Sequence, residues 1–169
     1  MNKDLSKWNV SKVKDMCFMF YECTQFNQDL STWNVSNVIN MKFMFYGCTQ
    51  FNKDLSKWIV SNVKNMNNMF NGCTQFDQYL SKWDVSKVED MRNMFAQCKK
   101  FNQNLNKWKV SKDTNIKDIF KSSGVRNENA QKYMPKIVDT LNSTGPTTSK
   151  TQIVGSVSSN LSSTKPSTL

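Results

Sequence analysis

The chain repeats itself every 25 residues. Copies begin at Asp4, Asp29, Asp54, Tyr79 and Asn104, four complete and a fifth in part, with no insertion between them. A fixed period of roughly 20 to 50 residues marks a stacked repeat array rather than a globule with one central core. In such an array a single unit cannot bury its apolar side chains alone. Like must pack on like, and the core grows with repeat number.

Aligning the copies gives columns. Leu5, Leu30, Leu55, Leu80 and Leu105 form one, and Trp8, Trp33, Trp58, Trp83 and Trp108 another, which takes every Trp in the chain. Val10, Val35, Val60, Val85 and Val110 follow, each with Ser after it. The second half carries Met16, Met41, Met66 and Met91 with Ile116, then Met19, Met44, Met69 and Met94 with Ile119, beside Phe20, Phe45, Phe70, Phe95 and Phe120. It closes on Cys23, Cys48, Cys73 and Cys98, and on Phe26, Phe51, Phe76 and Phe101.

The spacing changes within the unit. Trp8 and Val10 alternate as on a short strand. Met16, Met19, Phe20 and Cys23 fall at i, i+3, i+4 and i+7, which predicts one apolar stripe of a helix of two or three turns. Asp15, Asn40, Asn65, Asp90 and Asn115 stand where N-caps belong. Each unit is therefore expected to be strand, turn and helix, stacked into an α/β solenoid with one parallel ladder. Leu5-x-x-Trp8-x-Val10 matches the start of the leucine-rich pattern, and departs from it at Val13, where Asn or Cys is usual. The expected architecture is a leucine-rich-repeat-like right-handed coil over residues 1–125. A helical cap over 126–141 and a Ser/Thr-rich flexible tail over 142–169 follow it.

The recurring phrase L-S-x-W-x-V-S-x-V-x-[ND]-M-x-x-M-F-x-x-C-x-x-F, across about residues 4 to 123, resembles the repeat of BspA-like surface proteins. That repeat belongs to mycoplasmas and other bacteria, and to some protists and large DNA viruses. The resemblance implies a leucine-rich-like fold and a role in surface recognition or adhesion, at a cell surface or on a virion. It supplies no catalytic residues. The N-terminus, MNKDLSKW, has no apolar run, so neither a signal peptide nor a membrane anchor is expected, which leaves a cytoplasmic location open.

Net charge is +10 with no His. A basic balance suits an acidic protein, an acidic glycan, a nucleic acid or an anionic membrane. The abundance of Lys and Asn has a second reading, as the product of a genome rich in A and T. Without His there is no Ser-His or Cys-His pair, and among 5 Gly there is no phosphate-binding loop, so neither catalysis nor a cofactor is expected. The Cys number 5. One per unit at an inward helical position predicts a column of small buried hydrophobes, all reduced, with Cys17 as the extra and most reactive thiol. Zinc is not expected, since ligand pairs sit two to four residues apart.

Beyond Val125, Ala130, Tyr133, Met134, Ile137, Val138 and Leu141 make an amphipathic pattern that Pro135 interrupts, suited to capping the last unit. From Asn142 onward, 14 of 28 residues are Ser or Thr. Such a segment cannot bury enough surface to fold alone.

Two outward features carry the binding expectations. Lys7, Lys57, Lys82 and Lys107, with Lys109 beside the last, are expected to form a basic ribbon on the strand face, either a dock for an acidic protein or glycan or a solubilising surface. Phe18, Phe43, Tyr21 and Tyr46 are confined to the first two units, their positions being Asn68, Asn93, Asn71 and Ala96 in the next two. They read as an exposed contact site, or as a patch that a loose N-terminal coil covers. The expected function is a non-catalytic recognition or adhesion module for a protein or glycan. Two alternatives stand beside it: a component of a virion or surface layer tethered by the tail, and a polyanion or nucleic-acid binder.

Overall fold

The computed structural model describes residues 4–125; the expected cap, its Pro135 kink and the Ser/Thr tail lie outside the described residues. Each unit makes one coil, and the coils stack. Parallel bridges join Asp15 to Asn40, Asn40 to Asn65, Asn65 to Asp90 and Asp90 to Asn115. Leu30, Leu55, Leu80, Met41, Met66, Met91, Phe45, Phe70 and Phe95 are fully buried in one continuous core.

The stripe at Met16, Met19 and Phe20 packs inward as its spacing predicts, but no helix forms among the described residues. Successive tight turns take its place. Within the first unit the amides of Met19, Tyr21 and Cys23 donate to the carbonyls of Met16, Phe18 and Phe20, at 3.3, 3.1 and 3.0 Å. The intervening amides of Met16, Phe18, Phe20 and Glu22 donate instead to Asn40, Lys42, Met44 and Tyr46 of the next coil, at 2.7–3.0 Å. Alternate amides thus run along the stack rather than back to residue i−4. Phe18 and Glu22 have φ of 59° and 56°, and the pattern recurs at Phe43 and Gly47, Asn68 and Gly72, Asn93 and Gln97, Asp118 and Ser122. Two left-handed residues per unit exclude a right-handed helix.

The residues expected to cap helices cap turns. Asp15, Asn40, Asn65, Asp90 and Asn115 each accept from the amide two residues on, at 2.8–3.1 Å. The parallel ladder begins at these residues and not at the Trp-x-Val segment. Asn9, Asn34 and Asp84 close a second such turn with Ser11, Ser36 and Ser86. Ile59 stands in that column, 61% exposed, and has no acceptor to offer. Ile59→Asn is therefore expected to stabilise the protein by about 0.5–1 kcal/mol through one added hydrogen bond, read in denaturant melts.

Polar atoms of the core are satisfied between coils. The indole Nε1–H of Trp33, Trp58, Trp83 and Trp108 donates to the carbonyl of Leu5, Leu30, Leu55 and Leu80 in the preceding coil, at 2.9–3.0 Å. The thiols of Cys48, Cys73 and Cys98 donate likewise to Phe20, Phe45 and Phe70, at 2.9–3.0 Å. Coil 1 has no described coil before it, so two core expectations fail there. Trp8 is 50% exposed, and Cys23 is exposed rather than buried. Each depends on a preceding coil that the others have.

Candidate functional site

The expected basic ribbon is not on the ladder. Lys7, Lys57, Lys82, Lys107 and Lys109 are all exposed, but they lie on the turns and short extended stretch that open each unit. Thr32 interrupts the column by donating its hydroxyl to the Ser6 carbonyl at 3.2 Å. Lys82, Lys107 and Lys109 do come together, lining a shallow depression of about 320 Å³ with Ser81, Asp84 and Ser86. The Ser81 hydroxyl there is buried with no hydrogen-bond partner. Hydrogen bonds from Ser86, with Lys87 and Lys109 nearby, hold the Asp84 carboxyl below its ordinary range. Lys7 and Lys57 do not line it.

The four aromatics form one block on the ladder segment. Phe18 stacks on Phe43 and Tyr21 on Tyr46, each with centroids 4.9 Å apart and planes within 8°. Phe18 meets Tyr21 at 5.4 Å, Phe43 meets Tyr46 at 5.4 Å, and the Lys42 ammonium lies 5.4 Å from the Phe43 centroid. Phe18 and Tyr21 are 50% and 40% exposed, and no described residue folds over them. Phe18 and Phe43 hold their side chains on left-handed backbone. For a bulky residue that conformation costs about 1–2 kcal/mol. The later units put Asn68, Asn93 and Asp118 at this position, the side chains that tolerate it best. Ring stacking recovers part of the cost. The first two units therefore carry Phe, exposed in the first and half-buried in the second, where the local backbone favours Asn.

The same columns continue into a polar network that periodicity does not reveal. Asn71 donates its Nδ2–H to Asn68 Oδ1 at 2.7 Å, and Asn68 donates to Asn67 Oδ1 at 2.6 Å. Asn67 donates to the Asp90 carboxylate at 3.2 and 3.4 Å. Arg92 closes the chain with its Nη2 2.7 Å from Asp90 Oδ2. Burial pushes the Asp90 carboxyl up, but hydrogen bonds from Arg92 and Asn67 outweigh it and leave the pKa below its ordinary value. The signal for this network was the run of Asn65, Asn67, Asn68 and Asn71 in unit 3, where unit 1 has Asp15, Cys17, Phe18 and Tyr21.

Among the described residues no group of three or more His, Cys, Asp or Glu could hold a metal ion, and no helix is long and apolar enough to cross a membrane. A family model described as Mycoplasma protein of unknown function, DUF285, matches residues 1–67 and 53–153. No curated protein and no solved structure matches the chain.

Proposed function

The chain belongs to the DUF285 family of repeat proteins, and we propose that it is a non-catalytic recognition module, a leucine-rich-like right-handed solenoid of the BspA-like surface type. It binds a protein or glycan through the outward columns of its ladder segment. The observation that carries this reading is the placement of Phe18 and Phe43. Both sit at positive φ, Phe18 exposed and Phe43 half-buried beside it, and they form a ring block with Tyr21 and Tyr46. Strain at an exposed aromatic, where the same protein uses Asn elsewhere, fits a side chain retained for contact rather than for stability. Aromatic anchors of this kind carry much of the affinity of recognition surfaces.

The test is an array of glycans and matrix proteins probed with the wild type and with Phe18→Asn/Phe43→Asn. The double variant installs the residue that units 3 and 4 use. Relief of backbone strain and loss of stacking roughly cancel, so its melting curve should stay within about 1 kcal/mol of the wild type. Binding to the module's targets should fall by at least about tenfold. Targets indifferent to this pair would overturn the reading. If binding is lost instead on Lys57→Glu/Lys82→Glu and shows steep salt dependence, the second reading holds. That reading is an acidic partner on the Lys surface, and the depression lined by Lys82, Lys107 and Lys109 is the observation that favours it.

A further inference from the structure

The two ends of the described stack carry opposite halves of one hydrogen-bond pattern. Between neighbouring coils, four alternate amides of the earlier coil donate to four carbonyls of the later one, from Met16, Phe18, Phe20 and Glu22 in coil 1 to Met91, Asn93, Phe95 and Gln97 in coil 4. In coil 1 the carbonyls of Asp15, Cys17, Met19 and Tyr21 hold the accepting positions, and no described amide reaches them. In coil 5, the unit from Asn104, the amides of Ile116, Asp118, Phe120 and Ser122 hold the donating positions and reach no described acceptor. A row of unpaired backbone groups is a template for pairing with another chain.

The side chains follow the same polarity. Trp33 and Cys48 reach back to carbonyls of the coil before them, and their counterparts down the stack do likewise. Trp8 and Cys23 have the same placement without that coil, which leaves the indole 50% exposed and the thiol exposed. The Leu105 carbonyl accepts the Trp108 amide, as Leu5 accepts Trp8, but no described indole. Charge is complementary as well. In residues 4–28 Lys7, Lys12 and Lys14 balance Asp4, Asp15 and Glu22, and Asp15 and Glu22 stand at the two ends of the carbonyl row. In residues 104–125 five Lys stand against Asp113 and Asp118, an excess of three positive charges, with Lys117 and Lys121 within the amide row. Unlike ends therefore match in hydrogen bonding and in charge. Like ends do not, because they oppose carbonyl to carbonyl or amide to amide.

We propose that coil 1 is a docking face for coil 5 of a second copy of this chain. The amides of Ile116, Asp118, Phe120 and Ser122 donate to the carbonyls of Asp15, Cys17, Met19 and Tyr21, and the Trp8 indole donates to the Leu105 carbonyl. The contact continues the register of the four coil pairs within the chain. It joins unlike surfaces, so it grows into an open row and does not close at a dimer. It stands or falls apart from the recognition reading, since it requires no target.

Sedimentation of the full chain from about 10 to about 500 µM tests this. The mean mass should climb through the dimer and beyond, as for a contact in which one coil face must offset the entropy of association. Trp8→Glu places a charge on the coil 1 face and should stay monomeric over the same range, with a melting curve in dilute solution close to that of the wild type. Its coil 5 end is intact. A Trp8→Glu chain labelled at its N-terminal amine should therefore cosediment with the wild type and, in excess, stop growth at the dimer. Alkylation of Cys23 by iodoacetamide should slow at least about fivefold from dilute to concentrated wild type, and keep its rate in Trp8→Glu. A wild type that is monomeric at about 500 µM overturns the proposal. Growth that Trp8→Glu shares overturns it too, by placing the contact elsewhere, and so does a wild-type dimer that takes up no labelled Trp8→Glu, which would join like ends.

Discussion

Trp58→Ala is expected to cost about 3–5 kcal/mol, and Trp8→Ala only about 1 kcal/mol. Trp58 is 3% exposed at the middle of the stack, whereas Trp8 is 50% exposed. Its ring lies 6.5 Å from Trp83 and 6.3 Å from Phe45, so truncation opens a cavity that neighbours on two coils cannot fill. It also strips the Leu30 carbonyl of the Nε1–H that reaches it at 3.0 Å, which adds a buried unpaired acceptor to the loss. Trp8 stacks on Trp33 at 6.4 Å with one face only. Denaturant melts of the two variants should show the difference. Equal losses would mean that stability is not set by neighbouring coils.

The second large effect is alkaline. Cys73 and Cys98 are fully buried, and burial pushes both thiols well above their ordinary value. Cys48, buried on the same column, is pushed up to about 12. A thiol raised on folding stays protonated in the native state while the unfolded chain ionises at about 8.5. Stability is then complete below that pH and falls as pH rises above it, since the unfolded state binds fewer protons. By pH 10 each buried thiol costs about 2 kcal/mol, so Cys48, Cys73 and Cys98 together cost about 6 kcal/mol. Melts at pH 7 and pH 10 should show that drop, and Cys73→Ala/Cys98→Ala should start less stable but lose much less between the two. A flat profile in the wild type would place these thiols in contact with solvent. A thiol probe at pH 8 gives an independent readout. Exposed Cys23 should react first and half-buried Cys17 next, because burial and then Asp15 raise the Cys17 thiol. Cys48, Cys73 and Cys98 should react only on unfolding.

The change of expectation from Cys17 to Cys23 shows how end effects escape a repeat pattern. Columns predict an average unit, and Cys23 shares its column with three buried thiols. Its own burial depends on a coil stacked before it, which the described structure does not contain. Trp8 differs from Trp58 for the same reason. The Lys surface was misplaced on other grounds. Its members were legible, but the ladder they were assigned to runs through Asp15 and Asn40, in the other half of the unit.

From the sequence alone came the 25-residue period, the columns of Leu, Trp, Val, Met, Phe and Cys, and the inward side of Met16, Met19 and Phe20. These follow from side-chain chemistry, which a strict repeat states five times over. The aromatic block at Phe18, Phe43, Tyr21 and Tyr46 was legible in the same way, as a departure from the columns. What only the tertiary structure decided was the backbone that carries them. The i, i+3, i+4, i+7 spacing buries one face whether the chain forms a helix or a run of turns. The choice rests on where alternate amides find acceptors, and those lie 24 residues away, as in Met16 to Asn40 and Phe20 to Met44. The asparagine network likewise needs Asn67 and Asp90, 23 residues apart in sequence, to meet across two coils. Stacking is a long-range event, so its hydrogen bonds are absent from any single unit.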